Sequence, residues 1–225
     1  MKEYIYKFKL LQANIFSLVI LAIFGVITFL INPELFKDFG TGLFLLLVLL
    51  YFMLHEVLHG IGYILGGAHP KNIYFGIALE KGILYCLCRE EIKKKAILTS
   101  LQMPFTVIGL ITYVIGLLTN NSMLTILSIC NLTGASMDLV MFFYIMRIKG
   151  VRYSETDKND EFVLITKENL SKKKSLFFDL VKTKEYDKKD FVFPKKKRIE
   201  ISKQSIWLML LVIALAIVSI LISKL

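Results

Sequence analysis

Five apolar runs dominate the chain, at about residues 13–31, 41–66, 97–118, 122–147 and 205–223. Each can cross roughly 30 Å of hydrocarbon at about 1.5 Å per residue, and in lipid such segments must close their backbone hydrogen bonds internally as helices. Four runs are clear, whereas the one at 122–147 is interrupted by Asn131, Thr133, Ser136 and Asp138. The first does not read as a cleavable leader: it is long, and only Asn32-Pro33-Glu34 follows it. The expected fold is an all-α membrane protein of about five transmembrane helices, with a cytosol-side β-hairpin and a small basic cytosolic segment. Three regions follow: a membrane-embedded core at 1–147 with a hairpin at about 72–89, a basic cytosolic segment at 148–204, and a C-terminal transmembrane helix at 205–225.

Charge orients this arrangement. Of 28 Lys and Arg, only Lys37 and Lys224 fall on one side of the five spans, and the rest fall on the other. By the positive-inside rule the chain is a multi-pass protein of the cell membrane, with its N-terminus in the cytosol and its C-terminus outside. The net charge of +10 therefore needs no nucleic acid to explain it, and no aromatic-basic RNA module is present. Clusters such as KKK at 172–174 and KKKR at 195–198 suit anionic lipid headgroups instead. Within the basic segment, EFVLIT reads as a short strand and ENLSKKKSLFFDLVKTKEY as a helix. The three cysteines form no disulfide framework: Cys130 lies in a span, and Cys86 and Cys88 are either ordinary side chains or half of a metal clip.

Two histidines and a glutamate interrupt the second run as HEVLH, residues 55–59. In a helix His55 and His59 lie one turn apart on one face, where both imidazoles can reach one cation. Glu56 projects about 100° around from His55, able to address a water beside the cation without binding the metal. H-E-x-x-H is the helical zinc motif of metallopeptidases for this reason. The bland alternative is a polar cluster that joins helices through hydrogen bonds. Ionisable groups within a span, however, persist mainly where they pair, bind ions or do chemistry. A third protein ligand is needed, with water in the fourth position. His69 follows the Gly66-Gly67 break, towards the aqueous boundary, whereas Asp138 lies deep in the fourth run at a depth similar to that of the histidines. Asp138 is the better candidate.

HEVLHG together with NLTGASMDL resembles the zincin membrane peptidase family, relatives of the site-2 intramembrane metalloproteases. The resemblance covers roughly 41–147, including NIYFGIALEKGILYCLCRE and Pro104. It implies zinc held by His55, His59 and Asp138, with Glu56 as catalytic base. The site-2 enzymes carry Asn-x-x-Pro before Leu-Asp-Gly. Here Gly134 stands in place of the proline, Met137-Asp138-Leu139 replaces Leu-Asp-Gly, and the Asn-to-Asp spacing is one residue shorter. Asn131 is thus either a hydrogen-bond donor to the transition state or substrate, or an interhelical packing residue.

NIYFGIALEKGILYCLC has two apolar runs around Glu80-Lys81-Gly82, the pattern of a hairpin. It either covers the helices or captures an extended substrate by strand addition. The expected function is membrane-embedded zinc-dependent hydrolysis of peptide bonds in membrane-anchored proteins or peptides near the cytosolic side. The alternative is a catalytically inactive zinc-binding protein that acts as scaffold, sensor or transporter.

Overall fold

The computed structural model describes residues 1–36, 41–78, 83–156, 161–173 and 175–187. Helix α1 (Leu10–Ile31) is apolar nearly all round, and most of its large side chains are exposed, which suits contact with lipid. Helix α2 (Thr41–Leu65) carries HEVLH. Helix α3 (Lys94–Pro104) continues through a wider π-helical stretch, Phe105–Ile111, into α4 (Thr112–Leu118). The fourth apolar run is two helices, α5 (Ser122–Gly134) and α6 (Ser136–Met146), bent by 47° about Ala135.

This corrects the expected all-α, five-span fold. Among the described residues three helical segments are long and apolar enough to cross a membrane, and a fourth crossing is present only if α5 and α6 count as one. The run at 205–223 and the KKKR cluster lie outside the described residues. A five-stranded antiparallel sheet accompanies the helices. Its strands are β1 (Lys2–Phe8), β4 (Ile92–Lys93), β5 (Arg152–Glu155), β6 (Glu161–Thr166) and β7 (Phe178–Glu185), in the order β4-β5-β6-β1-β7.

The stretch expected as a helix after Lys167 instead makes turns and then β7. Its apolar residues Leu170, Phe177, Phe178 and Val181 happen to fall at helical spacing. Pairing with β1 nevertheless prevails, and it buries Phe178 among the rings of Phe8, Tyr144 and Phe162. In KEYIYKF, alternation turns Tyr4 and Tyr6 into the core, where Tyr6 stacks on Phe162 at 5.6 Å and Phe162 meets Phe178 edge-on at 5.2 Å. Ile145 and Ile148 at the end of α6, and Ile97 and Leu101 of α3, complete the same core. Sheet and helices therefore share one hydrophobic interior. Lys94 fastens the junction, its Nζ donating to the carbonyls of Met146 (2.6 Å) and Ile148 (2.8 Å) at the end of α6.

Two glycines set how closely α2 and α3 approach. A Cβ on Gly62 would stand 2.5 Å from Ser100 Cα, and one on Gly66 2.1 Å from Ala96 Cα. The two backbones are in near contact, and only hydrogen fits between them. A separate hairpin of β2 (Ile73–Ala78) and β3 (Ile83–Cys88) rests on α2. Its expected turn, Glu80-Lys81-Gly82, lies outside the described residues. Phe75 and Cys86, a cross-strand pair, both press on Gly60, one residue after His59.

Candidate metal centre

His55 and His59 lie on one face of α2, with Nε2 atoms 3.0 Å apart. Asp138 Oδ2 lies 3.3 Å from His55 Nε2 and 3.4 Å from His59 Nε2. The structure thus brings together the three residues that the sequence singled out as ligands, in a group that could hold a metal ion. Asp138 stands in the first turn of α6, where the unpaired amides of a helix start favour a carboxylate. Ser17 of α1 steadies that turn through a 2.6 Å hydrogen bond with Ser136.

The partners behind the rings decide which nitrogens carry protons. Asn131 Nδ2 donates to the Pro104 carbonyl at 3.0 Å, which fixes the amide and turns its Oδ1 to His55 Nδ1 at 2.8 Å. An amide oxygen only accepts, so His55 Nδ1 donates. His59 Nδ1 lies 3.0 Å from the Ser100 carbonyl oxygen and must donate as well, with Ser100 Oγ 3.3 Å away. In their neutral forms both rings therefore present bare Nε2 lone pairs to one another and to the Asp138 carboxylate. Three acceptors facing one point repel unless a cation lies between them.

Zinc fits this donor set. Tetrahedral coordination with bonds of about 2.0–2.1 Å sets ligand atoms about 3.3 Å apart, and the three edges measure 3.0, 3.3 and 3.4 Å. A histidine that gives its other N–H to a carbonyl or carboxylate is the usual arrangement behind a protein-bound metal.

Glu56, next to His55, points towards β3, with the Cys86 backbone in hydrogen-bonding reach of its carboxylate. Asn131 is committed to His55 and Pro104, so this geometry supports a role in orienting the ring rather than in meeting a transition state. A straight helix would set Asn131 and Asp138 about 10 Å apart along the axis. The bend at Ala135 instead lets them flank His55 from two sides. His69 is exposed, its Nδ1 accepting from the Lys71 N–H at 3.2 Å, and takes no part in the group. Burial pushes the Cys86 and Cys88 thiols up, Cys88 to about 12, so both stay protonated. They join no metal-capable group among the described residues.

Two contributors had no signal in the sequence. Ser100 serves through its backbone, which any residue type could do. Glu155, at the end of β5 in a segment crowded with charge, accepts from the Tyr63 hydroxyl at 3.3 Å, and the Tyr153 hydroxyl bonds it too. Tyr63 is one turn beyond His59, so the sheet reaches the wall of the centre through this carboxylate. Burial pushes the Glu155 carboxyl up to about 7, against the opposing pull of the Tyr153 and Tyr63 hydroxyls.

Residues 47–150, just under half of the chain, match a family described as "Putative zincin peptidase". The match contains HEVLH, Pro104, Asn131 and Asp138, and over that stretch the chain is similar to zincin-type peptidases. No curated protein and no solved structure gives a significant match.

Proposed function

We propose that this chain is a membrane-embedded zinc metallopeptidase of the site-2 kind. It would cut membrane-anchored proteins or peptides near the cytosolic side of the bilayer. One observation carries the reading: two imidazole Nε2 atoms and a carboxylate converge beside a glutamate inside an apolar helix bundle. The similarity to zincin-type peptidases gives that constellation a chemistry.

His55, His59 and Asp138 would hold the ion. When bound, the ion would supply a Lewis acid for the scissile carbonyl and for the attacking water. Glu56 takes the proton of the attacking water and passes it to the leaving amine. Asn131 and the Ser100 carbonyl keep both imidazoles turned so that neither Nε2 carries a proton. The hairpin β2–β3, with the Cys86 backbone beside Glu56, is where an extended peptide would lie, paired as an added strand.

Orientation follows the same reading. Strand β1 precedes α1 and pairs with β6 and β7, which follow α6, and this pairing supports a reading in which all three lie on one side of the membrane. That requires an even number of crossings between them, and counting α5 with α6 as one span satisfies it. The excess of basic residues assigns this side to the cytosol and to anionic headgroups.

The test is a comparison of membrane proteins by mass spectrometry in cells carrying the wild type or Glu56→Gln, alongside the zinc content of both purified proteins. Cleavage products that vanish in the variant while zinc stays near one per chain are the expected result. Zinc without any Glu56-dependent product points to an inactive zinc-binding protein, and a wild type without zinc ends the proposal.

A further inference from the structure

We propose that Pro104 is the positioning residue for both histidines of the centre, through the N–H it lacks and the carbonyl it keeps. The inference rests on the reading of His55, His59 and Asp138 as zinc ligands.

In an α-helix the carbonyl of residue i accepts from the N–H of residue i+4. The donor for Ser100 would be residue 104, and proline has no N–H to give. The Ser100 carbonyl therefore faces the interior without its helical partner. A buried carbonyl left so costs free energy comparable to a lost hydrogen bond, unless another donor reaches it. His59 Nδ1 is that donor, at 3.0 Å. The proline ring also crowds the carbonyl four residues before it, which turns this oxygen off the helix axis. Gly62 allows α2 close enough to use it, since a Cβ there would stand 2.8 Å from Ser100 N and 2.5 Å from Ser100 Cα.

The second service comes from the other end of the same residue. Pro104 O accepts from Asn131 Nδ2 at 3.0 Å, where the helix widens into the π-helical stretch Phe105–Ile111. That bond gives the Asn131 amide its sense, and so its Oδ1 faces His55 Nδ1. Reversed, the amide would set an N–H against the N–H of the ring. One residue on α3 thereby stands behind the two ligands of α2, at one remove from each.

Zinc affinity measured by chelator competition in detergent micelles tests this. Pro104→Ala restores an N–H that competes for the Ser100 carbonyl, while the residue 104 carbonyl remains for Asn131. The expected result is about a tenfold loss of zinc affinity, in the range typical for partners behind metal ligands. The comparison variant is lactate at position 104, introduced as an α-hydroxy acid by nonsense suppression. It has the methyl of alanine and no N–H, and should stay within about threefold of the wild type. Unchanged affinity in Pro104→Ala overturns the proposal, and so does an equal loss in both variants, which would make the ring alone responsible. If Pro104→Ala does not fold, retention of zinc by the lactate variant still supports the role of the missing N–H, and loss there overturns it. A wild type that binds no zinc instead refutes the metal centre itself, an outcome distinct from all of these.

Discussion

A neutral histidine has one proton for two nitrogens, and at this centre the choice is made from behind. Asn131 Oδ1 and the Ser100 carbonyl each claim an Nδ1 proton, which leaves the facing nitrogens free. Removing the two partners should therefore have unequal effects. Asn131→Ala deletes the acceptor behind His55 and should weaken zinc binding roughly 10- to 100-fold. Ser100→Ala leaves the carbonyl in place and should change affinity by less than about threefold. Equilibrium zinc titration of the two variants checks the contrast. Zinc content should also fall sharply in Asp138→Ala, since two histidines alone hold the ion weakly, and stay near one per chain in the exposed His69→Ala. The grouping of His55, His59 and Asp138 was legible in the sequence because HEVLH and a lone deep aspartate are chemical signals. The Ser100 contact was not, because it is made by a backbone oxygen whose availability depends on a proline four residues on.

Between elements, Gly62 of α2 and Gly66, just past its end, give a way to separate packing from site geometry. Gly62 faces Ser100 and Gly66 faces Ala96, and either Cβ would meet backbone at under 3 Å. Both Gly62→Ala and Gly66→Ala should lower the thermal stability of the protein in micelles, by roughly 1–3 kcal/mol for overpacking. Only Gly62→Ala should also lower zinc affinity at a temperature where both variants are folded, because it pushes Ser100 away from His59. Equal affinity in the two would mean that the helices can separate without disturbing the ring. At this scale the apolar runs announced the helices, and EFVLIT is β6. Strands β1 and β7 were hidden. KEYIYKF does alternate, but its partners lie beyond every described helix, and β7 carries a helical spacing that only tertiary pairing overrides. The bend at Ala135 was equally unannounced, since it breaks an apolar run without a proline.

For the molecule as a whole, the joint between sheet and helices runs through Glu155 and Tyr63. The Glu155 carboxyl is raised from 4.5 to about 7, so the folded protein binds more protons than the unfolded chain in that interval. Its contribution to stability is thus full below about 4.5 and is lost as pH rises through about 7. Melting temperature should fall between pH 5 and pH 8, and Glu155→Gln should flatten that fall. At about 2–4 °C per kcal/mol for a chain of this size, the difference is measurable by scanning fluorimetry of purified protein. A slope unchanged by the variant would mean that Glu155 does not titrate in this range. The place of β1 in the same sheet has a consequence in time. Tyr4 pairs with Leu164, and Glu3 with Lys184, on either side. At about 5–20 residues per second, roughly 160 further residues take the ribosome some ten to thirty seconds. Strand β1 waits unpaired through the synthesis of every described helix, including those that carry the histidines and the aspartate. Its partners are made only afterwards, so β1 is among the last of the described strands to pair.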